Sequence, residues 1–460
     1  MVNVSVGGAA FDVIVVGGGP GGAAAAGVLA RGGKKVALVE EAGLGGTCLN
    51  HGCIPTKFFL AATAPLGALR DHQRHGIVSG ELKVDFAALQ KRKNRFVQGA
   101  SAALGKALQV AGVTLIQGRG VCKGAGLVQC EGGTQATLRA ADVILATGSR
   151  AAAFPGLEPD GAAVLDSTML LSLERVPESL IIVGAGAIGM EFSDFFSALG
   201  VKVTLVEGMP QLVPAEDADI AEELRKIVQK SGRVCLTGQK VASVLTRGGQ
   251  AELTLADGRV LTAEKALIAV GRKANTQALE HAGCALDKRG FVVTNAFLEA
   301  APHCHAIGDV NGLALLAHAA EHQGEWAARR ILGLEKGEYS SGPVPSCIFG
   351  HVEIMRVGRT AKELLASGSR PGVAVSPMSL NPIAQAHGSS TGFVKAVRQG
   401  DVLVGMAAIG HNVSHLVTAA QLLVLHGHTP ETLRRFMFAH PTLDESLKNV
   451  LTAPETIAVL

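Results

Sequence analysis

The 460 residues predict about three domains, and a hydrophobic content of 48% is enough for sizeable cores. A formal net charge of +3 is too small to indicate a protein that binds nucleic acid or an anionic membrane surface. Aromatic residues are only 4% of the chain, so we expect aliphatic, alanine-rich cores, and the 58 glycines favour a nucleotide-binding α/β protein.

The cysteines and the apolar runs of the sequence indicate the cellular compartment of the protein. Eight cysteines are typical of a cytosolic protein rather than of a disulfide scaffold, and beyond Cys48 and Cys53 none has metal-site spacing. The first residues lack the pattern of a secretory signal, and no uncharged apolar run of about 18 residues predicts a membrane span. The basic residues of 91–95 lie in a helical pattern, where we expect a solvated face. We therefore expect a cytoplasmic protein without a metal site.

A glycine-rich loop follows residues 11–16, which have the length and continuity of a buried parallel strand. An alanine-rich helix comes next, and then a strand that ends at Glu40. The glycines of this GxGxxG motif are Gly17, Gly19 and Gly22. Such glycines permit a tight turn, close approach of a pyrophosphate and helix packing, and the acid accepts hydrogen bonds from a ribose. The sequence therefore predicts a dinucleotide site.

The same unit recurs, beginning with a strand at residues 179–183. Its glycines and its acid are Gly184, Gly186, Gly189 and Glu207. The interval from first glycine to acid is 23 residues in both units. Two dinucleotide sites in one chain predict two cofactors with electrons passing between them.

Glu207 discriminates between the two nicotinamide cofactors. A 2′-phosphate about 4 Å from its carboxylate would meet a repulsion of about 4 kcal/mol at an effective dielectric constant near 20. No arginine follows closely enough to receive that phosphate. We therefore expect NAD rather than NADP at the second site.

Residues 45–57, GGTCLNHGCIPTK, hold Cys48 and Cys53 five positions apart with Gly52 between them. Such a pair forms a small ring only if the backbone bends, and strained, accessible disulfides are catalytic rather than structural. Spacing does not prove pairing, so two buried thiols that never meet are the alternative. The position shortly after a dinucleotide unit favours a redox pair that exchanges electrons with a flavin.

This stretch resembles the redox-active motif of the class I pyridine nucleotide–disulfide oxidoreductases, and most closely that of the dihydrolipoamide dehydrogenases among them. The resemblance covers residues 11 to about 450. It implies an α/β protein with two Rossmann-like dinucleotide-binding domains and a C-terminal α+β dimerisation domain. The implied bounds are 1–150 for the FAD-binding domain, 151–275 for the NAD-binding domain, 276–344 for a central domain completing the FAD site, and 345–460 for the interface domain.

The resemblance also implies FAD at the first site and residues that hold the two cofactors. Asp309 of HAIGDV, otherwise a turn aspartate, matches the carboxylate that binds the ribityl chain of the flavin. Lys57 and Glu191, each otherwise a plain surface charge, match an ion pair beside the isoalloxazine. Two strands that end at Gly148 and Gly271 mark where the chain crosses between domains. Besides the glycine motifs and their acids, the implied cofactor contacts are Gly46, Thr47, Lys57, Gly120, Thr147, Gly148, Ile188, Glu191, Val241, Gly271, Arg272, Asp309, Leu316, Ala317 and His318.

Near the C-terminus, AHPTLDE contains His440 and Glu445. From the residues alone, Thr442 and Glu445 form a helix capping-box pattern, and His440 is then an ordinary loop histidine. A dithiol reaction needs a base near neutral pH, which histidine supplies. In the family resembled, this motif carries the base and its orienting glutamate, and the histidine acts in the active site of the neighbouring subunit. The resemblance thus implies a C2 homodimer that activity requires.

By this resemblance the chain reoxidises protein-bound dihydrolipoyl groups with NAD. His440 takes a proton from the substrate, whose thiolate attacks Cys48, and Cys53 passes electrons to FAD. The implied partner is the lipoyl-bearing protein of a 2-oxoacid dehydrogenase or glycine cleavage complex.

Departures from the family pattern bear on the substrate rather than on the reaction type. His51 stands between the cysteines, Val352 where a proline is usual, and Phe438 where a second histidine is frequent; residues 381–384 lack the usual arginine. One alternative is a related FAD/NAD(P)H disulfide reductase acting on another dithiol or disulfide. The other is a non-catalytic complex subunit, against which the intact cysteine and histidine–glutamate pairs argue.

Overall fold

The structure, a computed structural model, describes residues 7–124, 126–279 and 282–458. Its strands are β1 Gly7–Val16, β2 Val36–Glu40, β3 Thr114–Gln117, β4 Arg119–Cys122, β5 Leu127–Glu131, β6 Ala136–Leu145, β7 Ser149–Ala151, β8 Val164–Leu165, β9 Ser179–Val183, β10 Lys202–Glu207, β11 Val234–Thr237, β12 Val241–Arg247, β13 Gln250–Leu255, β14 Val260–Ala263, β15 Lys265–Ile268, β16 Arg272–Ala274, β17 Glu299–Ala301, β18 Cys304–Ala306, β19 Pro345–Ile348, β20 Glu353–Gly358, β21 Gly372–Pro377, β22 Phe393–Gln399, β23 Val402–Gly410 and β24 Thr456–Ile457.

The helices alternate with these strands over most of the chain. They are α1 Pro20–Arg31, α2 Gly46–His51, α3 Cys53–Arg74, α4 Phe86–Val110, α5 Ser167–Leu170, α6 Ala187–Ala198, α7 Ala218–Lys230, α8 Ala317–Ile331, α9 Ala361–Ala366, α10 Pro382–Ala386, α11 Val417–Leu425, α12 Pro430–Leu433 and α13 Glu445–Thr452. Short 3-10 turns occupy Gln277–Leu279, Gly308–Asn311, Met378–Leu380 and Val413–Leu416.

The chain divides into two compact units. The first unit consists of the chain up to Pro55, Lys91–Ala152 and Gly271–Ser341. The second unit consists of Thr56–Gln90, Ala153–Val270 and the chain from Gly342 onward. The division into four domains at residues 150, 275 and 344 stays a prediction.

A sheet with the strand order β17-β18-β6-β1-β2-β3 forms the centre of the first unit. β1 is parallel to both of its neighbours, and Val15 lies opposite Leu38 of β2 and Ile144 of β6. Successive side chains of a strand point to opposite faces, so Ile14 and Val16 pack in one core and Val13 and Val15 in another. This two-sided burial explains why the strand is a continuous apolar run.

Two larger sheets organise the second unit. The parallel sheet β11-β10-β9-β15-β8 carries the second glycine loop, and the antiparallel sheet β19-β20-β23-β22-β21-β24 belongs to the C-terminal segment. A smaller antiparallel sheet, β12-β13-β14, adjoins them in sequence. Two units of the β-α-β type and a C-terminal α+β segment agree with the predicted fold class.

The two crossing strands end earlier than predicted. β6 ends at Leu145 and β15 at Ile268, whereas the sequence analysis placed both ends at glycine. Gly148 has a φ of 67° and Gly271 a φ of 128°, so neither continues a strand. The chain turns at these glycines, and the short strands β7 and β16 that follow pair with each other.

The prediction of aliphatic cores does not describe the largest core of the second unit. Five phenylalanines lie in its largest core, and the rings of Phe59 and Phe195 stack with centroids 4.5 Å apart. The five are Phe59, Phe86, Phe192, Phe195 and Phe196. A low overall aromatic content therefore did not predict how the few aromatic residues are distributed.

Two expectations about the surface also need correction. In the basic run of α4, Lys93 is only 5% exposed, and burial lowers its pKa.

Gly46–Arg74 is long and apolar enough to cross a membrane by length and composition, although no such segment was expected. It is interrupted at Gly52, and the ring of Phe59 is fully buried in a protein core. The segment therefore packs in part inside the protein, and 33% of its apolar window is buried.

Candidate functional site

The first GxGxxG loop is a turn that requires glycine. Gly17 has a φ of 106°, and a Cβ on Gly22 would lie 1.9 Å from the carbonyl oxygen of Gly17. α1 begins directly after Gly19, which offers no side-chain cap to the first amides of the helix. Those amides are therefore available to an anion such as a pyrophosphate.

Glu40 stands beside this loop at the end of β2. One carboxylate oxygen accepts a hydrogen bond from the amide of Gly18 at 2.6 Å, and the other from the amide of Ala42 at 2.8 Å. These bonds fix the carboxylate next to the glycine turn. Each oxygen keeps a second lone pair, which can accept a hydrogen bond from a ribose.

The second loop repeats this geometry. Gly184 has a φ of 100°, and a Cβ on Gly189 would lie 1.9 Å from the carbonyl oxygen of Gly184. Glu207 accepts hydrogen bonds from the amides of Ala185 at 2.7 Å and Met209 at 2.8 Å. The two dinucleotide units therefore agree in backbone as well as in spacing.

The cysteine stretch begins against the first glycine loop. Gly45 and Gly46 have φ values of 94° and 56°, and a Cβ on Gly46 would lie 2.7 Å from the Cα of Gly19. Only glycine permits this close approach. The side-chain amide of Asn50 then donates to three carbonyls of residues 43–46, at 2.9 to 3.1 Å, and fastens α2 to the turn before it.

Cys48 and Cys53 lie on two consecutive helices. α2 carries Cys48, Gly52 interrupts the helix with a φ of −141° and a ψ of −111°, and α3 begins at Cys53. Cys53 is exposed and Cys48 half-buried. Neither cysteine is fully buried, and the chain bends between them, but their pairing stays a prediction.

Lys57 and Glu191 form an ion pair in the second unit. The ammonium of Lys57 lies 2.7 and 2.8 Å from the two carboxylate oxygens and 4.3 Å from the ring centroid of Phe349. Glu191 is buried, and its burial raises its pKa while the charge of Lys57 opposes that rise. The pair thus places a half-exposed cation four residues after Cys53 on the same helix.

Asp309 is the end of a hydrogen-bond chain in the first unit. Arg272 Nε donates to the hydroxyl of Ser149 at 2.7 Å, and this hydroxyl donates to Asp309 Oδ2 at 2.5 Å. Thr147 and Asn275 exchange hydrogen bonds of 2.8 and 2.9 Å beside it. The two crossing segments are therefore joined, and their junction fixes the Asp309 carboxylate.

The other residues implied as cofactor contacts are spread over both units. In the first unit, Thr47 is exposed on α2, Gly120 packs against Val16, and Leu316, Ala317 and His318 open α8. In the second unit, Ile188 is half-buried in the first turn of α6, and Val241 begins β12 and packs against a core. Their contact with a cofactor stays a prediction.

His440 and Glu445 meet as the motif implied. His440 Nδ1 lies 2.9 Å from Glu445 Oε1 and 3.0 Å from Oε2. A carboxylate only accepts hydrogen bonds, so Nδ1 carries the hydrogen and Nε2 presents a lone pair. The hydrogen bond from His440 lowers the pKa of Glu445. The imidazole is 72% exposed, so Nε2 is available to a proton donor.

The loop contains one half of the capping-box alternative, because Glu445 accepts the amide of Thr442, but the Thr442 side chain does not cap the helix. α13 begins at Glu445 with Asp444 as its N-cap, and no side chain caps its amides. The hydroxyl of Thr442 donates to the carbonyl of Ala439 at 2.8 Å, while the Thr442 amide donates to Glu445 at 3.2 Å. Glu445 thus orients both the histidine and the loop that carries it.

Family models match most of the chain. The model described as pyridine nucleotide-disulphide oxidoreductase matches residues 11–324, and the model of the dimerisation domain of the same family matches residues 344–451. The chain is a pyridine nucleotide–disulphide oxidoreductase. The predicted family and fold class are therefore confirmed, and FAD and NAD are the cofactors of this family.

Curated relatives of this oxidoreductase extend over nearly the whole chain. Dihydrolipoyl dehydrogenase from Chlorobaculum parvum is 36% identical over 435 residues, 92% of each chain. Dihydrolipoyl dehydrogenase from Bacillus subtilis is 33% identical and covers 93% of this chain and 94% of the relative. Their names agree with the enzyme class that the sequence analysis implied.

Solved structures of similar oxidoreductases have the same architecture. LpdA from Mycobacterium tuberculosis gives a TM-score of 0.87 at 28% identity and covers 96% of this chain and 98% of its own. The HOCl-induced flavoprotein disulfide reductase RclA from Escherichia coli gives 0.83 at 27% identity and covers 96% and 99%.

The departures from the pattern of this oxidoreductase family lie mainly in the C-terminal segment. His51 is exposed, whereas Val352 and Phe438 are half-buried and pack against apolar cores. Asn381 is 1% exposed, and its amide nitrogen donates to the carbonyl of Thr442 and the hydroxyl of Ser446, both at 2.9 Å. Residue 381 therefore anchors the His440–Glu445 loop.

Three residues that position the site of this oxidoreductase were not predicted from the sequence. They are Asn50, Ser149 and Asn381. Asn50 lies inside the cysteine motif, where its short-range contacts could have been suspected. Ser149 and Asn381 contact residues 160 and 61 positions away, and no local pattern indicates such partners. Among the residues that the structure describes, no group of three or more His, Cys, Asp or Glu side chains is arranged to hold a metal ion.

Proposed function

We propose that this oxidoreductase reoxidises protein-bound dihydrolipoyl groups with NAD⁺, through FAD and a Cys48–Cys53 disulfide, with His440 as the base. The observation that carries the proposal is the 2.9 Å bond from His440 Nδ1 to Glu445, because it leaves Nε2 ready to take a proton. The names of the curated relatives support the dihydrolipoyl substrate.

The residues at both glycine loops fit dinucleotides. Each loop is too tight for any Cβ at its third glycine, and each ends beside a carboxylate held by two backbone amides. We assign FAD to the loop of Gly17, Gly19 and Gly22 and NAD to that of Gly184, Gly186 and Gly189. Bound at the first loop, FAD would supply two-electron transfer between the reduced cysteines and the nicotinamide.

The chain's own residues carry out the dithiol exchange. His440 Nε2 takes a proton from one thiol of the substrate, and the resulting thiolate attacks the sulfur of Cys48. The Cys48–Cys53 bond breaks and Cys53 leaves as a thiolate. The second substrate thiol, after losing its proton, then attacks the mixed disulfide, closes the lipoyl ring and releases Cys48. Lys57 favours the thiolate forms because a nearby cation lowers thiol pKa values.

The dimerisation domain supports a homodimer as the working form. In this proposal His440 serves the cysteine pair of the partner subunit. The exposure of the His440 imidazole is consistent with a role outside its own subunit. The partner protein is a lipoyl-bearing protein of a 2-oxoacid dehydrogenase or glycine cleavage complex, and the enzyme works in the cytoplasm.

The structural likeness to RclA favours a second candidate, a reductase of another disulfide. Steady-state assays separate the two. We expect the FAD-loaded enzyme to reduce NAD⁺ with dihydrolipoamide and with an isolated dihydrolipoyl domain, at a kcat/KM above that for glutathione or dithiothreitol. If NADH-dependent reduction of an unrelated disulfide is faster than either lipoyl reaction, the second candidate replaces the first.

A further inference from the structure

A buried ionic cluster that takes no part in the dithiol exchange lies in the second unit. Lys395 of β22 is 3% exposed, and its ammonium lies 2.8 Å from a carboxylate oxygen of Asp217 and 2.8 Å from one of Asp219. Arg356 of β20 lies 3.3 Å from the carboxylate of Glu216. A buried charge is costly unless it is paired, so two strands of the C-terminal sheet fix these carboxylates in place.

The connection between β10 and α7, residues 208–217, contains two of these carboxylates, and we call it the strap. The amide of Val213 in the strap donates to the carbonyl of Ala185 at 2.9 Å, and the amide of Glu216 donates to the carbonyl of Val213 at 2.9 Å. Ala185 stands between the first two glycines of the second loop, and its own amide donates to Glu207 at 2.7 Å. The strap therefore holds the carbonyl of a residue whose amide Glu207 holds.

The first glycine loop is closed in the same way. The amide of Gly45, shortly after Glu40, donates to the carbonyl of Gly18 at 2.8 Å, and the Gly18 amide donates to Glu40. In each unit, the segment that follows the acidic residue bonds the carbonyl between the first two motif glycines. The recurrence of this bond in both dinucleotide units indicates that it serves the shape of the loop.

The two bonds differ in the residue that donates them. Gly45 has a φ of 94°, which glycine adopts freely, whereas Val213 has a φ of 42°, which is rare for a β-branched residue. Such a strained backbone persists only where its surroundings over-determine it. Val213 is 2% exposed, and the strap ends at the ion pairs of Arg356 and Lys395. The second loop therefore depends on the C-terminal sheet for a contact that glycine makes without strain in the first.

We propose that Lys395 is a positioning residue for the NAD site, because its ion pairs with Asp217 and Asp219 hold the strap against the second glycine loop. The proposal rests on the assignment of NAD to that loop. Without the ammonium the two carboxylates repel each other, the strap loses its fixed position, and the bond from Val213 to Ala185 is weakened. The loop is then no longer preorganised for a pyrophosphate, so NAD⁺ binds less tightly.

Calorimetric titration of the oxidised, FAD-loaded enzyme with NAD⁺ tests the proposal. We expect Lys395→Gln to raise the Kd for NAD⁺ about tenfold, within the range by which residues remote from a ligand alter its binding. Lys395→Arg, which keeps the charge, should restore most of the affinity. Anaerobic reduction of the FAD by dihydrolipoamide should keep its wild-type rate in both variants, because this half of the reaction does not use the second loop.

Arg398→Gln is the matched control. Arg398 lies on the same strand as Lys395, is 2% exposed and pairs with Glu455 at 2.6 Å, and its hydrogen bonds go to carbonyls between residues 401 and 451. We expect this variant to melt at a lower temperature and to bind NAD⁺ with the wild-type Kd. If Arg398→Gln is not recovered folded, Glu455→Gln removes the same ion pair from its more exposed side.

A folded Lys395→Gln enzyme with the wild-type Kd for NAD⁺ would overturn the proposal, and so would an equal rise of Kd in the control. If Lys395→Gln is not recovered folded, Asp219→Asn removes one of the two ion pairs at an exposed carboxylate, and a Kd raised by about threefold is expected. An unchanged Kd in Asp219→Asn would then overturn it. The titration uses no dithiol, so its result is independent of whether dihydrolipoyl groups are the substrate.

Discussion

Glu445 fixes one tautomer of His440 through a hydrogen bond of 2.9 Å. Glu445→Gln replaces the carboxylate by a neutral amide, which holds the imidazolium less well, so we expect kcat with dihydrolipoamide to fall by about 10²-fold. The KM for NAD⁺ should not change. Steady-state kinetics check this, with Glu431→Gln, an exposed glutamate paired to Arg434, as the control that keeps full activity.

The hydrogen bond between His440 and Glu445 should weaken at low pH. The hydrogen bond from His440 holds the pKa of Glu445 below its usual range. The contact is therefore fully formed above the ordinary carboxyl pKa and is lost as the pH falls through the lowered value. Equal kcat values for the wild type and Glu445→Gln across neutral pH would contradict the orienting role.

We expect Glu207 to set the choice between NAD⁺ and NADP⁺. Its carboxylate is 9% exposed and accepts two backbone amides, so its charge lies beside the ribose position that we propose. Glu207→Gln keeps an acceptor for the loop but removes the charge. We expect the ratio of kcat/KM for NAD⁺ over NADP⁺ to fall at least about tenfold, because the repulsion of the 2′-phosphate is lost. An unchanged ratio, with Glu222→Gln as the matched surface control, would refute the charge argument.

At the scale of elements, the first β-α-β unit depends on glycine at its third motif position. A Cβ at Gly22 would lie 1.9 Å from a carbonyl oxygen, so Gly22→Ala must displace α1 from β1. We expect Gly22→Ala to be purified without bound FAD, as its absorption spectrum would show. Gly99→Ala, in a helix where a Cβ meets nothing within 4 Å, should keep FAD and gain about 0.5–1 kcal/mol of stability. If the Gly22→Ala protein is purified with bound FAD, this would contradict the assignment of FAD to the first glycine loop.

Strands that lie next to a glycine motif or end at its acidic residue were predictable from the sequence. Strand β9 spans the predicted residues 179–183, and β2 and β10 end at the predicted acids Glu40 and Glu207. Both loops owe their geometry to glycines whose spacing is visible in the sequence. The ends of β6 and β15 were not predictable in this way, because each strand ends three residues before the glycine at which the chain turns.

Contacts between distant residues could not be inferred from local patterns. The ion pair of Lys57 and Glu191 spans 134 positions and was expected only because the family resemblance implied it. Ser149 and Asn381 had no such support, since a serine or an asparagine is common in any turn. Their roles follow from burial and hydrogen bonds that exist only after the chain has folded.

At the scale of the whole molecule, the proposal requires two subunits for each active site. A dimer that combines a Cys53→Ser subunit with a His440→Ala subunit has one site with both defects and one site with neither, if His440 acts on the partner. Random mixing of the two inactive variants should then restore about a quarter of wild-type activity. If mixing and refolding into dimers restores nothing, while wild-type subunits treated alike recover, His440 serves its own subunit.

The central claim is that electrons pass from a dithiol through Cys48 and Cys53 to NAD⁺. The most direct test is a single turnover without oxygen: the FAD-loaded protein is reduced by dihydrolipoamide, excess substrate is removed, and NAD⁺ is added. We expect about one NADH per subunit from the wild type and none from Cys53→Ser, although the variant keeps its FAD. Equal amounts of NADH from both proteins, or none from the FAD-loaded wild type, would contradict the account.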